Sequence, residues 1–285
     1  MMRHLRQILA FIIAAVAADA FAAPSDSVSL LRPALITVAV DAGRVRSLDT
    51  YLSPLRYDGM HLRLGFELQR LTRFCPKKWV GKIEAGLTYD HPSNPARNNS
   101  LHTVIADVDY ALLRRWYAGG VTFYSGGDLG FRGGVTYNPR NSNNVCSPLI
   151  HLYLGASGGV AYDIWRRRAP LTLRWQATLP VVGGFYLPDY DQSFYEMYLG
   201  NYGKTINFGF WHNRFDMDNL VCLDLQFGPS TLRLGYRTEF TTVWQNNISQ
   251  RRWTHSLVIG VQWETLRLNS HYGLPMKSEI ISVTY

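Results

Sequence analysis

Polar and apolar side chains alternate along most of this chain. In "TLRLGYRTEF", residues 231–240, an extended backbone puts Leu232, Leu234, Tyr236 and Phe240 on one side and Thr231, Arg233, Arg237 and Glu239 on the other. In "GMHLRLGFELQRL", Met60, Leu62, Leu64, Phe66 and Leu68 oppose His61, Arg63, Glu67 and Gln69. Trp79, Ile83, Ala85, Leu87 and Tyr89 oppose Lys82, Glu84, Thr88 and Asp90; Val104, Ala106, Val108, Tyr110 and Leu112 oppose Thr103, Asp107 and Asp109. The same period runs through "DLGFRGGVTYN", "LIHLYLGASGGVAYD", "PLTLRWQATL", "NLVCLDLQF" and "WTHSLVIGVQWE", with no heptad and no helical period of any length. Turn residues separate these segments at "FCPKK", "HPSNPARNNS", "NPRNSNN", "WRRRAP", "LPDYDQ", "GP" and "NNISQ". The pattern predicts strands near 34–44, 58–73, 79–90, 101–116, 120–138, 147–163, 170–183, 194–210, 217–227, 230–244, 251–266 and 277–285, in one domain.

A soluble sandwich alternates too, with its apolar side inward. Here the predicted strands run from 9 to 19 residues, against about 5–6 in soluble sheets and about 9–11 for a tilted membrane strand. Trp79, Tyr89, Trp116, Tyr137, Tyr162, Trp253 and Trp263 fall near strand ends, where a bilayer interface places aromatic girdles. The terminal "EIISVTY" puts Ile281, Val283 and Tyr285 on one face, as in the last strand of bacterial outer-membrane barrels. These features turn Leu232, Leu234 and Phe240 toward lipid.

The N-terminus agrees. Arg3, His4 and Arg6 precede an apolar run from Ile8 to Ala18 and a small-x-small site at Ala20-Phe21-Ala22. Residues 1–22 therefore read as a cleavable signal peptide, and residues 23–285 as the barrel. The apolar run is shorter than the roughly 17–25 residues of a spanning helix. Composition supports β-structure, with 13 Phe, 8 Trp, 17 Tyr and 24 Gly. The formal net charge of +8 is scattered, its longest basic run being "RRR" at 166–168, which excludes a nucleic-acid footprint. Cys75, Cys146 and Cys222 have no metal spacing and allow at most one disulfide. No metal or cofactor is expected.

An open sheet edge in hydrocarbon leaves each unpaired N–H and C=O at a cost of several kcal/mol, so the sheet must close. The expected fold is all-β, a closed antiparallel transmembrane barrel of about twelve strands. An even count puts both termini at one end, with the long linkers 91–100, 138–146 and 184–193 at the other. Cys75 and Cys146 then lie at opposite ends. The residues facing away from lipid fill the lumen: Arg63, Glu67, Lys82, Glu84, Asp107, Asp109, Arg174, Asp224, Arg233, Arg237 and Glu239, with Asp128, Arg132 and Glu264. The "GP" turn at 228–229 sets Phe227 against Ser230 and so Asp224 against Arg233, a cross-strand ion pair. An aqueous porin needs about 16–18 strands, so the mixed charges read as crosslinks rather than as a wide channel.

Catalytic motifs are absent from this reading. A lipid hydrolase needs a hydroxyl beside its base, and the candidates are Thr254-His255-Ser256, His151 and His212-Asn213. Adjacent strand residues face opposite sides, so His255 and Ser256 cannot meet without a bulge. Asp216 and Asp218 in "NRFDMDN" resemble half a calcium site but read first as a polar turn. "ASGGVA" and "GFRGGV" lack the following helix of a phosphate loop.

At "SLDTYLSPLRYDGMHLRLGFELQRLTRF" (47–74) the chain resembles a family of uncharacterised outer-membrane β-barrel proteins of Gram-negative bacteria. The likeness continues in "GGDLGFRGGVTYNPRNSNN", "LPVVGGFYLPDYDQSFYEMYLGN", "STLRLGYRTEF" and "WTHSLVIGV". The resemblance implies an outer-membrane barrel and carries no activity or catalytic residues with it. The leading expectation is small-solute passage, surface binding or envelope structure without catalysis. Its rivals are a lipid- or lipopolysaccharide-modifying enzyme and a soluble periplasmic binding protein. Expected partners are outer-membrane lipid and lipopolysaccharide, and the barrel-assembly machinery through Tyr285. The blocks "TYLSPL" (50–55) and "GGFYLPDYDQSFY" (183–195) are candidates for a plug or loop that recognises a ligand, and packing of folded loops explains them equally well.

Overall fold

The computed structural model describes residues 29–142, 144–165, 170–190, 192–200, 205–266, 278–281 and 283. The expected signal peptide, 1–22, and Tyr285 lie outside the described residues. The strands are β1 (Ser29–Leu31), β2 (Ala34–Asp49), β3 (Ser53–Leu71), β4 (Trp79–Ser93), β5 (His102–Ala118), β6 (Val121–Tyr137) and β7 (Cys146–Trp165). They continue as β8 (Leu171–Tyr186), β9 (Ile206–Phe210), β10 (Arg214–Phe227), β11 (Ser230–Gln245), β12 (Ile248–Thr265) and β13 (Ser278–Ile280), with a short helix α1 (Phe194–Tyr198). Each long strand pairs antiparallel with the next, β8 pairs with β10, and β12 returns to β2 from Gln250 opposite Asp49 to Thr265 opposite Ala34. Among the described residues, β2–β8 and β10–β12 thus close a ten-stranded barrel.

The count is ten rather than twelve because two expected strands do other work. Within 194–210 the sequence Ser193-Phe194-Tyr195-Glu196 is a capping box: Ser193 Oγ accepts the Glu196 N–H at 3.3 Å and Glu196 Oε2 accepts the Ser193 N–H at 2.8 Å. One helical turn results, followed by Gly200 at φ +89°. Among the described residues of 277–285, Ser278–Ile280 is strand, and it pairs in parallel with β1 outside the barrel. A parallel pair cannot continue the antiparallel ring.

β9 lies beside the ring. β10 follows β8 from Leu225 opposite Leu171 to Asp218 opposite Thr178, and there the ladder stops. Pro180 has no N–H to offer, and β9 takes over the rest of β8, from Val182 opposite Phe210 to Tyr186 opposite Ile206. The turn 211–213 absorbs the offset. Trp211 Nε1 donates to the Pro180 carbonyl at 3.0 Å, and the Asn213 amide bonds Phe208 O and Phe210 N at 2.8 and 2.9 Å.

The side-chain arrangement is inverted relative to a soluble sandwich. Leu64, Leu154 and Leu257 on the outer face are 53%, 57% and 66% exposed, whereas Arg233 inside is 2% exposed. Soluble monomers rarely show contiguous apolar patches above a few hundred Å²; here the middle of the outer wall is an apolar band, with the charged pair Arg46–Asp58 toward the loop end. Trp79 and Tyr89, and Trp253 and Trp263, sit ten residues apart on the outward sides of β4 and β12. At about 3.3 Å per residue and a tilt near 40°, that spacing is about 25 Å, the height of a lipid-facing band. No helix among the described residues is long and apolar enough to cross a membrane.

Buried apolar clusters sit at both ends. At the loop end Tyr51, Leu52, Tyr57, Leu101, Phe185, Leu187, Val243 and Ile248 form a buried cluster. Asparagines from the next loops hold it. Asn138 and Asn141 donate to the Leu52 carbonyl at 3.3 and 2.9 Å, Asn144 to that of Tyr51 at 3.3 Å, and Asn246 to that of Leu187 at 3.2 Å. The Tyr51 hydroxyl donates to Gln192 O at 3.0 Å, and burial pushes its phenol pKa up, so it stays a donor. At the terminal end Val283 packs with Leu35, Leu71 and Val80, and its carbonyl accepts from Arg115 Nη1 at 3.1 Å.

Candidate functional site: the charged lumen

Because successive strand residues alternate faces, every second residue of the ten strands points inward. Among the described residues the inward charges form connected groups at three levels. Toward the terminal end, Arg233 donates from Nε and Nη2 to Asp224 at 2.8 and 3.1 Å, from Nη1 to Glu67 at 3.4 Å, and from Nη2 to Gln262 at 3.2 Å. Arg174 approaches the same Asp224 at 3.4 Å. The β10–β11 register sets Asp224 opposite Arg233, following the two-residue turn at Gly228 and Pro229.

At mid-height Arg63 pairs with Asp107 at 2.8 Å and lies 3.6 Å from Glu84. Arg237 reaches Glu84 at 2.9 Å, Asp218 at 3.2 Å and Asp41 at 3.3 Å, while Lys82 holds Glu84 at 3.1 Å. Toward the loops Arg252 joins Asp90 and Glu239, and Asp90 also takes His61 at 2.6 Å. Asp216 is held by Arg214 at 2.6 Å and by the Thr241 hydroxyl at 2.7 Å. Separated charges at this depth would cost several kcal/mol each, and mutual pairing offsets that cost.

Arg63, Glu67, Lys82, Glu84, Asp107, Asp109, Arg174, Asp224, Arg233, Arg237 and Glu239 all face this interior, as do Asp128 and Arg132. Glu264 shares the inward side of β12 with Gln262 but sits exposed at the terminal rim. The polar turn expected at "NRFDMDN" is strand from Arg214 onward, so Asp216 and Asp218 are lumen residues. Sequence reasoning put His61 and Asp90 on the polar faces of their strands without making them network partners, and it passed over Asp41, Tyr153 and Arg252. Strand parity could have found them, since Asp41 alternates in step with Thr37 and Val45, and Arg252 with Thr254 and Gln262.

The space left is small. A loop-end cavity of about 60 Å³, bordered by Arg132, His151, Arg214, Thr241 and Arg252, has room for a few waters. A mid-lumen cavity of about 20 Å³ lies among Lys82, Glu84, Asp109, Asp128, Tyr153 and Asp218. The hydrolase candidates stand apart from one another. Ser256 is buried inside, while His255 points outward with Nδ1 at 2.8 Å from the Tyr236 hydroxyl. His151 faces Asp216 at 3.6 Å inside the barrel. Cys75, Cys146 and Cys222 are free thiols.

A family model described as "Protein of unknown function (DUF3316)" matches residues 7–271. No curated protein matches the sequence. Solved structures similar to this chain include the translocator domain of autotransporter NalP from Neisseria meningitidis, at 10% identity and TM-score 0.39, covering 91% of this chain and 95% of that one. The beta domain of the Bordetella autotransporter BrkA is similar at 9% identity and TM-score 0.40, covering 82% and 99%. The Pseudomonas putida toluene transporter TodX is similar at 8% identity and TM-score 0.32, covering 86% and 91%. The barrel assignment rests on the strand pairing described above.

Proposed function

The chain belongs to the DUF3316 family of proteins of unknown function, and from that premise we propose a non-catalytic outer-membrane barrel whose lumen stays shut. Its activity then lies in the loop-end surface and in envelope structure rather than in free solute passage. The observation that carries this reading is the mid-lumen crosslink of Arg63 and Arg237 with Asp41, Glu84, Asp107 and Asp218, which spans the interior between the apolar clusters at the two ends. The apolar wall with its aromatic girdles supports a location in the outer membrane of a Gram-negative bacterium, reached through the signal peptide at 1–22. Outer-membrane lipid and lipopolysaccharide are its surroundings in this reading. Tyr285 serves the assembly machinery before the tail seats in the terminal mouth.

The test is conductance of the detergent-folded full chain in a planar bilayer. The expected result is no steady current from a barrel verified as folded by its resistance to heat-free denaturant and by its β-sheet circular dichroism. A steady ohmic current would overturn the reading and make Arg63, Arg174, Arg233 and Arg237 the selectivity residues. Gated passage is the second reading. It is favoured by one feature: the terminal mouth is packed by a tail segment and not by a barrel strand.

A further inference from the structure

Pairing the mid-lumen charges leaves two carboxylates over. Arg63 holds Asp107, Lys82 holds Glu84, Arg237 holds Asp218 together with Glu84 and Asp41, and Arg214 holds Asp216. Asp109 and Asp128 make no ion pair among the described residues. Asp109 accepts the Tyr153 hydroxyl. Asp128 is 4% exposed, and its Oδ2 is buried with no hydrogen-bond partner; Asp218 Oδ1 is in the same condition. All three aspartates line the same cavity of about 20 Å³, with Tyr153 and Thr178 beside them.

The strand register brings the two surplus carboxylates together. Asp109 stands opposite Gly130 and Ala111 opposite Asp128, so the aspartates are diagonal neighbours on the inward face of β5 and β6. Diagonal Cβ atoms lie about 7–8 Å apart, within reach of a shared ion. Glycines keep the space open. A Cβ at Gly130 would collide with the Asp109 carboxylate and the Tyr153 ring, and Gly155, opposite Asp128, adds no side chain.

A buried carboxylate left ionised needs a hydrogen-bond donor, an opposite charge or a metal. Two carboxylates without an ion pair and an all-oxygen donor set match a hard divalent cation, which takes six to eight oxygens at about 2.3–2.6 Å in a flexible geometry when it is calcium. We propose that the mid-lumen cavity binds one calcium-type divalent cation, with the Asp109 and Asp128 carboxylates as its principal ligands. Asp218 Oδ1 and the Tyr153 and Thr178 hydroxyl oxygens complete the donor set. No three such groups already stand at metal-ligand spacing among the described residues. The site therefore closes around the ion by rotation of Asp128, whose carboxylate accepts no hydrogen bond, while Asp218 offers its unpartnered Oδ1 and keeps Oδ2 on Arg237. This site is independent of whether the lumen conducts.

The experiment uses the full barrel refolded in detergent without lipopolysaccharide, in chelator or in calcium chloride. Refolding in the presence of the ion loads a site that lies deep in the lumen. The expected outcome is one calcium per wild-type chain by equilibrium dialysis and a higher unfolding temperature with calcium than with chelator. Asp128→Asn and Asp109→Asn should weaken binding at least tenfold and abolish that shift, while Asp58→Asn on the outside keeps both. In chelator Asp128→Asn should be no less stable than wild type, because it removes an unpartnered charge; in calcium the order reverses. Should one aspartate variant fail to refold, the other decides. Wild-type protein that holds no calcium and shows no shift with calcium or magnesium would overturn the proposal. So would aspartate variants that bind as wild type does.

Discussion

Arg233 and Asp224 show how much a single inward residue carries. Arg233 is enclosed by Asp224, Glu67 and Gln262, and Arg174 leans on the same Asp224. Removing one partner of such a group strands a charge at depth, which costs about 3–5 kcal/mol. Asp224→Ala should lower the unfolding free energy by about that amount in urea titrations of the barrel in lipid vesicles. The outer pair Arg46–Asp58, at 3.0 Å, offers the contrast. Both groups there are partly solvated, so Asp58→Ala should cost about 1 kcal/mol or less in the same assay. The chemistry is alike at the two sites, and the dielectric surroundings set the difference.

At the scale of elements, the tail and the broken seam matter most. Deleting residues 278–285 removes β13 and Val283 from the terminal mouth, yet the crosslinked arginines above it remain. The truncated barrel should therefore still pass no steady current in a planar bilayer; an opened pore would assign the seal to the tail alone. The ten barrel strands were legible because one-sided burial enforces a period of two, and the Asp224–Arg233 register because a two-residue turn fixes it. Two segments misled. "SFYEMY" is rich in aromatics, which favour strands, but its capping box makes a helical turn. "SEI" has strand character without a free barrel edge to join, since β12 already pairs with β2 along its length. The lumen set was readable from parity; which charges find partners was not, because that depends on which distant strands face across the barrel.

For the whole molecule, the inverted distribution of polar and apolar residues makes one sharp demand. Leu257 lies between Trp253 and Trp263 on the outer face, opposite Tyr236 on β11. In a bilayer Leu257→Arg should cost about 2–4 kcal/mol, measured by denaturant unfolding in vesicles, because an arginine near the midplane has no water. A soluble barrel would tolerate the change with almost no loss, so the same number separates the membrane reading from the periplasmic one. The parallel pair of β1 and β13 has a further consequence, in time rather than in space. Its two strands are the first and last described segments of the chain, and Val283 beds against residues from β2, β3 and β4. The tail is made only after all ten wall strands. Its docking therefore marks a completed barrel, and a chain interrupted late would carry every wall strand but lack that mark.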